Sequence, residues 1–67
     1  MGVVNLNAKQ ARVVRAILEN VPDNHEIWIH GEQESVFVEE ENEDTRTVRQ
    51  FRVFESGGVT SVALETN

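Results

Sequence analysis

The chain of 67 residues has no cysteine and only one proline. Without cysteine, neither a disulfide nor a thiolate-bound metal can stabilise the fold, although small domains commonly rely on one of the two. A domain of this size buries only about 60% of the surface that its unfolded chain exposes. The sequence therefore predicts a single small domain, residues 1–67, with little stability of its own and a reason to associate, most simply with a second copy of itself.

The first residues carry no targeting signal. The segment 1–6 lacks both a basic region and a long apolar stretch, so it does not resemble a secretory signal peptide. No apolar run elsewhere approaches the roughly 20 residues of a membrane-spanning helix. The lack of cysteine is also compatible with a reducing compartment. We therefore expect a cytoplasmic protein that does not contact a membrane.

Residue types that carry out chemistry are sparse. His25 and His30 are five positions apart, so on one strand they point to opposite faces and do not share a metal ion. No glycine-rich phosphate loop is present, and no serine or threonine is accompanied by a recognisable base. We therefore expect no catalytic residue, no cofactor and no bound metal, and we predict that the protein is not an enzyme.

The net charge of −6 is distributed unevenly along the chain. Residues 1–22 carry three basic side chains and one acid, residues 23–45 carry nine acids and no base, and residues 46–67 carry three bases and two acids. The acids are densest at residues 39–44, with five acids in six positions. Such a run repels itself, so we interpret it as a solvated turn between two strands. The acidic patch consists of Glu39, Glu40, Glu41, Glu43 and Asp44.

One amphipathic helix is predicted over residues 8–20. Asn7 and Gln10 have the spacing of a capping box, in which each side chain bonds the other residue's main-chain amide. Pro22 ends the helix because it has no amide hydrogen and pushes the preceding residue out of the helical region. The apolar stripe of this helix consists of Ala11, Val14, Ile17, Leu18 and Val21.

After the helix the apolar period changes to two, which predicts a β-hairpin. The strands His25–His30 and Ser35–Glu39 flank the four-residue loop Gly31–Glu34. If His30 pairs with Ser35 across this loop, Trp28 lies opposite Phe37. The aromatic side chains then lie on one face of the hairpin and the aliphatic ones on the other. The remaining pairs are then Ile27 with Val38 and Ile29 with Val36.

A second hairpin is predicted from the strands 46–55 and Val59–Glu65. Gly57 and Gly58 suit a two-residue primed turn, since both glycines accept a positive φ. If Ser56 and Gly57 form the turn instead, the register moves by two residues. We therefore expect the same side chains on each face for either turn. The expected pairs are Phe51 with Leu64, Val53 with Val62, Arg52 with Ala63 and Phe54 with Ser61.

Together these elements predict an α+β fold, with one N-terminal helix packed on one face of a four-stranded antiparallel meander. The helix closes a small core over this inner sheet layer, and no second helix is available for the outer face. The expected inner layer consists of Ile27, Ile29, Val36, Val38, Phe51, Val53, Val62 and Leu64.

The uncovered outer face is the candidate binding surface. Tryptophan, phenylalanine and arginine dominate the energetics of protein interfaces, and a contiguous aromatic patch is unusual on a stable monomer. We therefore expect a non-catalytic interaction module, either a homodimer or a small regulatory subunit that docks a larger protein. The candidate partner-binding residues are Trp28, His30, Phe37, Val48, Arg52 and Phe54.

Two other functions remain open from the sequence. Residues 39–44 could imitate the charge of nucleic acid, as in a phage-type decoy that occupies a nucleic-acid-binding groove on another protein. Alternatively, Trp28, Phe37 and Arg52 could stack single-stranded bases on the open sheet face. The acidity of the whole chain argues against nucleic acid as a partner, because phosphates would be repelled.

Overall fold

A computed structural model of the protein describes residues 3–65 and contains one helix followed by four strands. The strands form one antiparallel sheet in the order β1-β2-β3-β4, so each strand pairs with its neighbour in sequence. The predicted α+β meander is confirmed. Its elements are α1 (Ala8–Glu19), β1 (His25–Gly31), β2 (Ser35–Asn42), β3 (Thr47–Phe54) and β4 (Val59–Glu65).

The first turn of α1 connects the helix to the sheet. The predicted capping box is present: Gln10 N donates to Asn7 Oδ1 at 2.8 Å, and Asn7 N donates to Gln10 Oε1 at 2.9 Å. Gln10 Nε2 also donates to the carbonyl oxygen of Val53 at 3.1 Å. Because Gln10 is only 4% exposed, this buried amide fixes the start of α1 against β3.

The face that α1 turns to the sheet differs in part from the predicted stripe. Val14 is buried, and Ile17 packs against the core as expected. Ala11 and Leu18 are exposed, whereas Gln10 is buried and Val13 packs against the core. The buried face is rotated toward Gln10, whose side-chain amide is hydrogen-bonded to β3, and Ala11 and Leu18 lie on the solvent side.

The register of the first hairpin is shifted by two residues from the predicted one. Glu32 N donates to Ser35 O at 2.9 Å, which closes a two-residue loop. Trp28 therefore pairs with Glu39, and Phe37 pairs with His30. The predicted pairing of Trp28 with Phe37 is wrong, but an even shift keeps every side chain on its expected face.

The second hairpin turns on a three-residue loop instead of a two-residue turn. Phe54 N donates to Gly58 O at 2.8 Å, and Gly57 N donates to Phe54 O at 2.9 Å. Gly57 has a φ of 92°, the left-handed conformation that completes this type of loop with a bulge. Only one of the two glycines therefore has a positive φ.

This loop reverses the two faces of β4 relative to the prediction. Val53 pairs with Val59 on the helix side, and Gln50 pairs with Val62 on the outer face. The predicted pair of Val53 with Val62 is wrong because the register differs by an odd number of residues. The register pairs Leu64 with Val48, but the side chain of Leu64 lies outside the described part of the structure.

Only the end of the acidic run, Glu43 and Asp44, lies in a solvated turn between two strands. β2 continues to Asn42, so the three glutamates 39–41 lie within the strand. The turn between β2 and β3 occupies only residues 43–46, and Asn42 Oδ1 stabilises it by accepting from Asp44 N at 3.0 Å. The prediction is wrong for residues 39–41, because the side chains of a strand alternate between two faces and neighbouring glutamates are thereby separated.

The buried apolar core is very small for a sheet of four strands. Among the described residues it consists of Val14, Val36, Val38 and Val53, each at most 7% exposed. Even Ile29, which was expected inside, is 38% exposed. Much apolar surface therefore remains in contact with water. The partly buried side chains around the core belong to Val4, Leu6, Val13, Ile17, Ile27 and Phe51.

The two glycines of the last turn give a matched pair of variants. Gly57→Ala should lower the free energy of unfolding by about 1 to 2 kcal/mol, because an L side chain is strained at its positive φ. Gly58→Ala should change stability by less than about 1 kcal/mol, because its added methyl would meet only Ser56 Oγ at 3.5 Å. Urea unfolding of both variants measures the difference. Equal effects would contradict the observed turn.

Candidate partner-binding face

The outer face of the sheet, on the side opposite α1, carries all six side chains predicted to bind a partner. The registers place alternate residues of each strand on this face, since paired residues of antiparallel strands share a side. These six residues come from three neighbouring strands. They are Trp28 and His30 of β1, Phe37 of β2, and Val48, Arg52 and Phe54 of β3.

The centre of this face is a polar network instead of an aromatic pair. The carboxylate of Glu39 accepts from His30 Nε2 at 2.9 Å and from Gln50 Nε2 at 3.2 Å. These bonds join β1, β2 and β3 across the middle of the sheet. The apolar side chains are thus arranged around a hydrogen-bonded centre.

Arg52 is held by two contacts on the same face. Its Nη2 atom lies 3.4 Å from Glu32 Oε1, and its Cζ atom lies 4.9 Å from the centre of the Phe37 ring. The second distance is typical of a cation–π contact. Phe37 is consequently half-buried beneath the guanidinium, and Arg52 presents a flat, partly exposed surface.

Two shallow depressions flank the polar centre. One has a volume of about 280 Å³ and lies between Trp28 and Val48, and the other has a volume of about 240 Å³ and contains Phe54 and Val62. Sites for small molecules are usually deeper and enclose about 300 to 1,000 Å³. Shallow, partly apolar depressions of this kind suit the side chains of a protein partner better than a small ligand.

One corner of the outer face concentrates negative charge. Glu26 of β1 pairs directly with Glu41 of β2, and the side chain of Glu43 lies nearby in the following turn. A hydrogen bond from the Glu26 carboxyl to Glu43 and the negative charge of Glu43 raise the pKa of Glu26, with a smaller contribution from Glu41. Like charges directly opposite each other in a sheet are destabilising.

The remaining acids of the predicted acidic patch lie elsewhere. Glu40 is on the inner face, is only 6% exposed and lies between two basic side chains. Its Oε2 atom is 2.5 Å from His25 Nδ1, and its Oε1 atom is 3.9 Å from Arg49 Nη1. Asp44, in the turn, accepts from Asn24 Nδ2 at 3.2 Å. The five acids therefore do not form one continuous surface.

The contacts of the buried Glu40 with the partly buried His25 and the exposed Arg49 were not predicted from the sequence. A signal for the burial of Glu40 exists, because this residue has the same strand parity as the buried Val36 and Val38. The neighbouring acids, however, favour an exposed position for Glu40, so the sequence pattern did not indicate its burial. Within residues 3–65 no group of three or more histidines and acids is arranged to hold a metal ion.

Comparison with known proteins does not extend these observations. No protein-family model, no curated protein and no solved structure matches the chain. In the described part of the chain, no helix is long and apolar enough to cross a membrane. The site must therefore be interpreted from its own geometry.

The acidic corner makes a prediction about pH. The pKa of Glu26 is raised in the folded state, so its contribution to stability is fully present below the ordinary glutamate pKa of about 4.3 and is lost as the pH rises through the raised pKa. Glu43→Gln should therefore stabilise the protein at about pH 7 and have no such effect near pH 3, below the ordinary glutamate pKa.

Urea unfolding at the two pH values measures this difference. Glu34→Gln is the matched control, because Glu34 is exposed in the turn between β1 and β2. It removes the same formal charge from the chain but lies at the opposite end of the strands. An equal gain in both variants would assign the effect to net charge instead of to the contact between Glu26 and Glu43.

Proposed function

We propose that the protein is a non-catalytic interaction module that docks a protein partner through the outer sheet face. One observation carries this proposal: Trp28, Phe54 and Val62 are 43%, 39% and 54% exposed on a face that α1 does not cover. The buried apolar core, by contrast, consists of four valine side chains among the described residues. The partner is a second copy of the chain or a larger protein.

The chemistry of the outer face supports a protein partner. Protein interfaces combine aromatic and arginine anchors with a polar, hydrated rim. Here Trp28 of β1 and Phe54 of β3 are the exposed aromatic side chains of the outer face. The guanidinium of Arg52 lies over a third ring, that of Phe37. Burial of these side chains would remove apolar surface from water at about 25 cal/mol per Å².

Electrostatics favour a protein over single-stranded nucleic acid. The depression beside Trp28 is lined by Glu39 and Glu41, whose charges would repel the phosphates of a base stacked there. Arg52, the one cation in the alternative stacking site, already contacts Glu32. A basic footprint, which nucleic-acid-binding surfaces normally have, does not surround these aromatic rings.

The Trp28→Ala variant tests the docking face. Since Trp28 projects from the outer face, its truncation should weaken partner binding at least about thirtyfold, which corresponds to a hot spot of about 2 kcal/mol. Sedimentation over a concentration series measures self-association. Binding of a different protein is measured by immobilising the wild type and the variant separately and comparing the amount of partner protein that each captures. If Trp28→Ala alters neither, the proposed docking face is wrong.

Val38→Ala is the matched control for folding. Val38 is fully buried, so loss of two methyl groups should lower the free energy of unfolding by about 2 to 3 kcal/mol. Trp28→Ala should cost less stability, because its side chain is nearly half exposed. Circular dichroism during urea unfolding compares the two. A Trp28→Ala chain that is less stable than Val38→Ala would show that the ring serves the fold.

A second candidate function is the acidic decoy, in a form limited to one corner of the sheet. Glu26 pairs directly with Glu41, and Glu43 adds a third carboxyl in the following turn, so this corner groups the acids that a phosphate mimic requires. If the protein is a decoy, the double variant Glu41→Gln and Glu43→Gln should lose partner binding. Binding by the wild type should also weaken steeply as the salt concentration rises. Docking through the aromatic face predicts little change in either experiment. A complex that survives in high salt therefore rules out the decoy.

A further inference from the structure

We infer that the open edge of β4 pairs with β4 of a second copy of the chain, antiparallel and about a twofold axis. The two four-stranded sheets would then form one sheet of eight strands. Edge pairing does not require the outer face to bind anything, so it is independent of the proposed docking face. It adds a defined self-association surface to the molecule.

The main-chain geometry of β4 supplies the hydrogen-bonding groups for this pairing. Phe54 N donates to Gly58 O, which sets the alternation of hydrogen-bonded pairs along β3 and β4. Thr60 and Val62 accordingly direct their amides and carbonyls toward β3. Ser61 and Ala63 direct theirs to the open edge, where a strand of another molecule can accept and donate.

The side chains of this edge do not protect it. Natural edge strands are usually protected from pairing by lysine, proline, an inward charge or a covering loop. β4 has no charged residue and no proline from Val59 to Leu64, and Val59 and Val62 are about half exposed. The uncharged edge of β4 is therefore available for strand addition.

The other edge of the sheet is different. β1 carries Glu26 and two histidines, and the N-terminal segment runs close to its last residue. A Cβ placed on Gly31 would lie 3.6 Å from the Cα of Val4. These features are of the kind that hinder pairing, so β4 is the edge that we assign to association.

An apolar groove lies beside β4 on the inner face and would be closed by the same pairing. It has a volume of about 360 Å³ and runs between α1 and the edge strand. In the twofold pair, the two β3 strands lie three strand spacings apart, about 14 Å, so the helices above them approach within side-chain reach. Asn20, Glu40 and Arg49 also line the groove, and its apolar lining consists of Val13, Ala16, Ile17, Val21, Phe51 and Val59.

The accessible surface of the chain also leaves room for such an interface. A folded monomer of 7.6 kDa is expected to expose about 4,300 Å², whereas the chain exposes 4987 Å². The excess of about 700 Å² is close to the roughly 800 Å² that each partner buries in a standard interface.

Charge favours a second copy as the occupant of the edge. The nine acids of residues 23–45 lie in β1, β2 and their turns, on the far side of the sheet from β4. β3, beside the edge strand, carries Arg49 and Arg52. Pairing through β4 therefore holds the acidic halves of the two molecules at opposite ends, where their repulsion is weakest.

Ser61→Pro tests the pairing on the full chain. Its amide faces the open edge, so proline removes no hydrogen bond to β3 but blocks the partner strand. Sedimentation equilibrium should show a wild-type dimer and a dissociation constant at least about tenfold higher for Ser61→Pro, from the loss of one bond per protomer. Ser61→Ala, which keeps the amide, should dimerise like the wild type.

A second variant applies if proline unfolds the chain. Ala63→Glu places a carboxylate opposite Arg49 within the protomer, which the monomer tolerates, but puts a charge at the seam of the dimer. It should weaken dimerisation at least about tenfold, and Ala63→Val should not. Wild-type amide exchange at Ser61 and Ala63 should also slow as concentration rises, because only the dimer protects these groups.

The outcomes separate edge pairing from the docking face. Trp28→Ala should leave the edge dimer intact, and Ala63→Glu should leave binding to the outer face intact. A chain that stays monomeric at high concentration overturns edge pairing, as does a dimer that survives Ala63→Glu. A dimer that is lost in Trp28→Ala but kept in Ala63→Glu also overturns it, while supporting self-association through the outer face.

Discussion

A single helix of twelve residues can cover only part of one face of this sheet, and the rest of the structure follows from that limit. The helix is about 18 Å long and about 10 Å wide, whereas the strands of eight residues extend for about 27 Å. Gln10 fixes the helix over β3 through its bond to Val53 O. The valines beneath it are buried, but the outer face and the β4 side of the inner face remain open to water. A molecule built in this way has surfaces for association because it has too few residues to cover them.

Which side chains occupy those open surfaces depends on the turns. A two-residue turn at Gly57 and Gly58 would have placed Val62 under the helix and enlarged the core. The observed three-residue loop, completed by the positive φ of Gly57, places Val59 on the inner face and Val62 on the outer face. One residue in a turn thus moves a valine from the core to the surface. The same loop sets which amides of β4 face the open edge, so it determines both surfaces at once.

The sequence predicted the elements of the fold better than their contacts. The helix followed from its cap and apolar spacing, and the strands from their alternation, because these signals are local. The register of the first hairpin could not be predicted in the same way, because a shift of two residues leaves the alternation of apolar residues unchanged. The main-chain hydrogen bond between Glu32 and Ser35, which sets the register, has no distinct signature in the sequence. The six residues of the candidate face reached the expected side because their parity was correct. Glu40 was misjudged because its burial depends on His25 and Arg49, which other strands provide.

The polar centre of the outer face bears on the kind of partner that can bind there. A buried polar group is costly when it lacks a hydrogen bond, so an apolar partner surface is normally excluded from a charged face. Here Glu39 already accepts from His30 and Gln50, and Arg52 contacts Glu32 and the ring of Phe37. A partner that covers these groups need not supply all of their hydrogen bonds, which lowers the desolvation penalty. The face can therefore accept an apolar surface around Trp28 and Phe54 while its acidic corner stays at the hydrated rim.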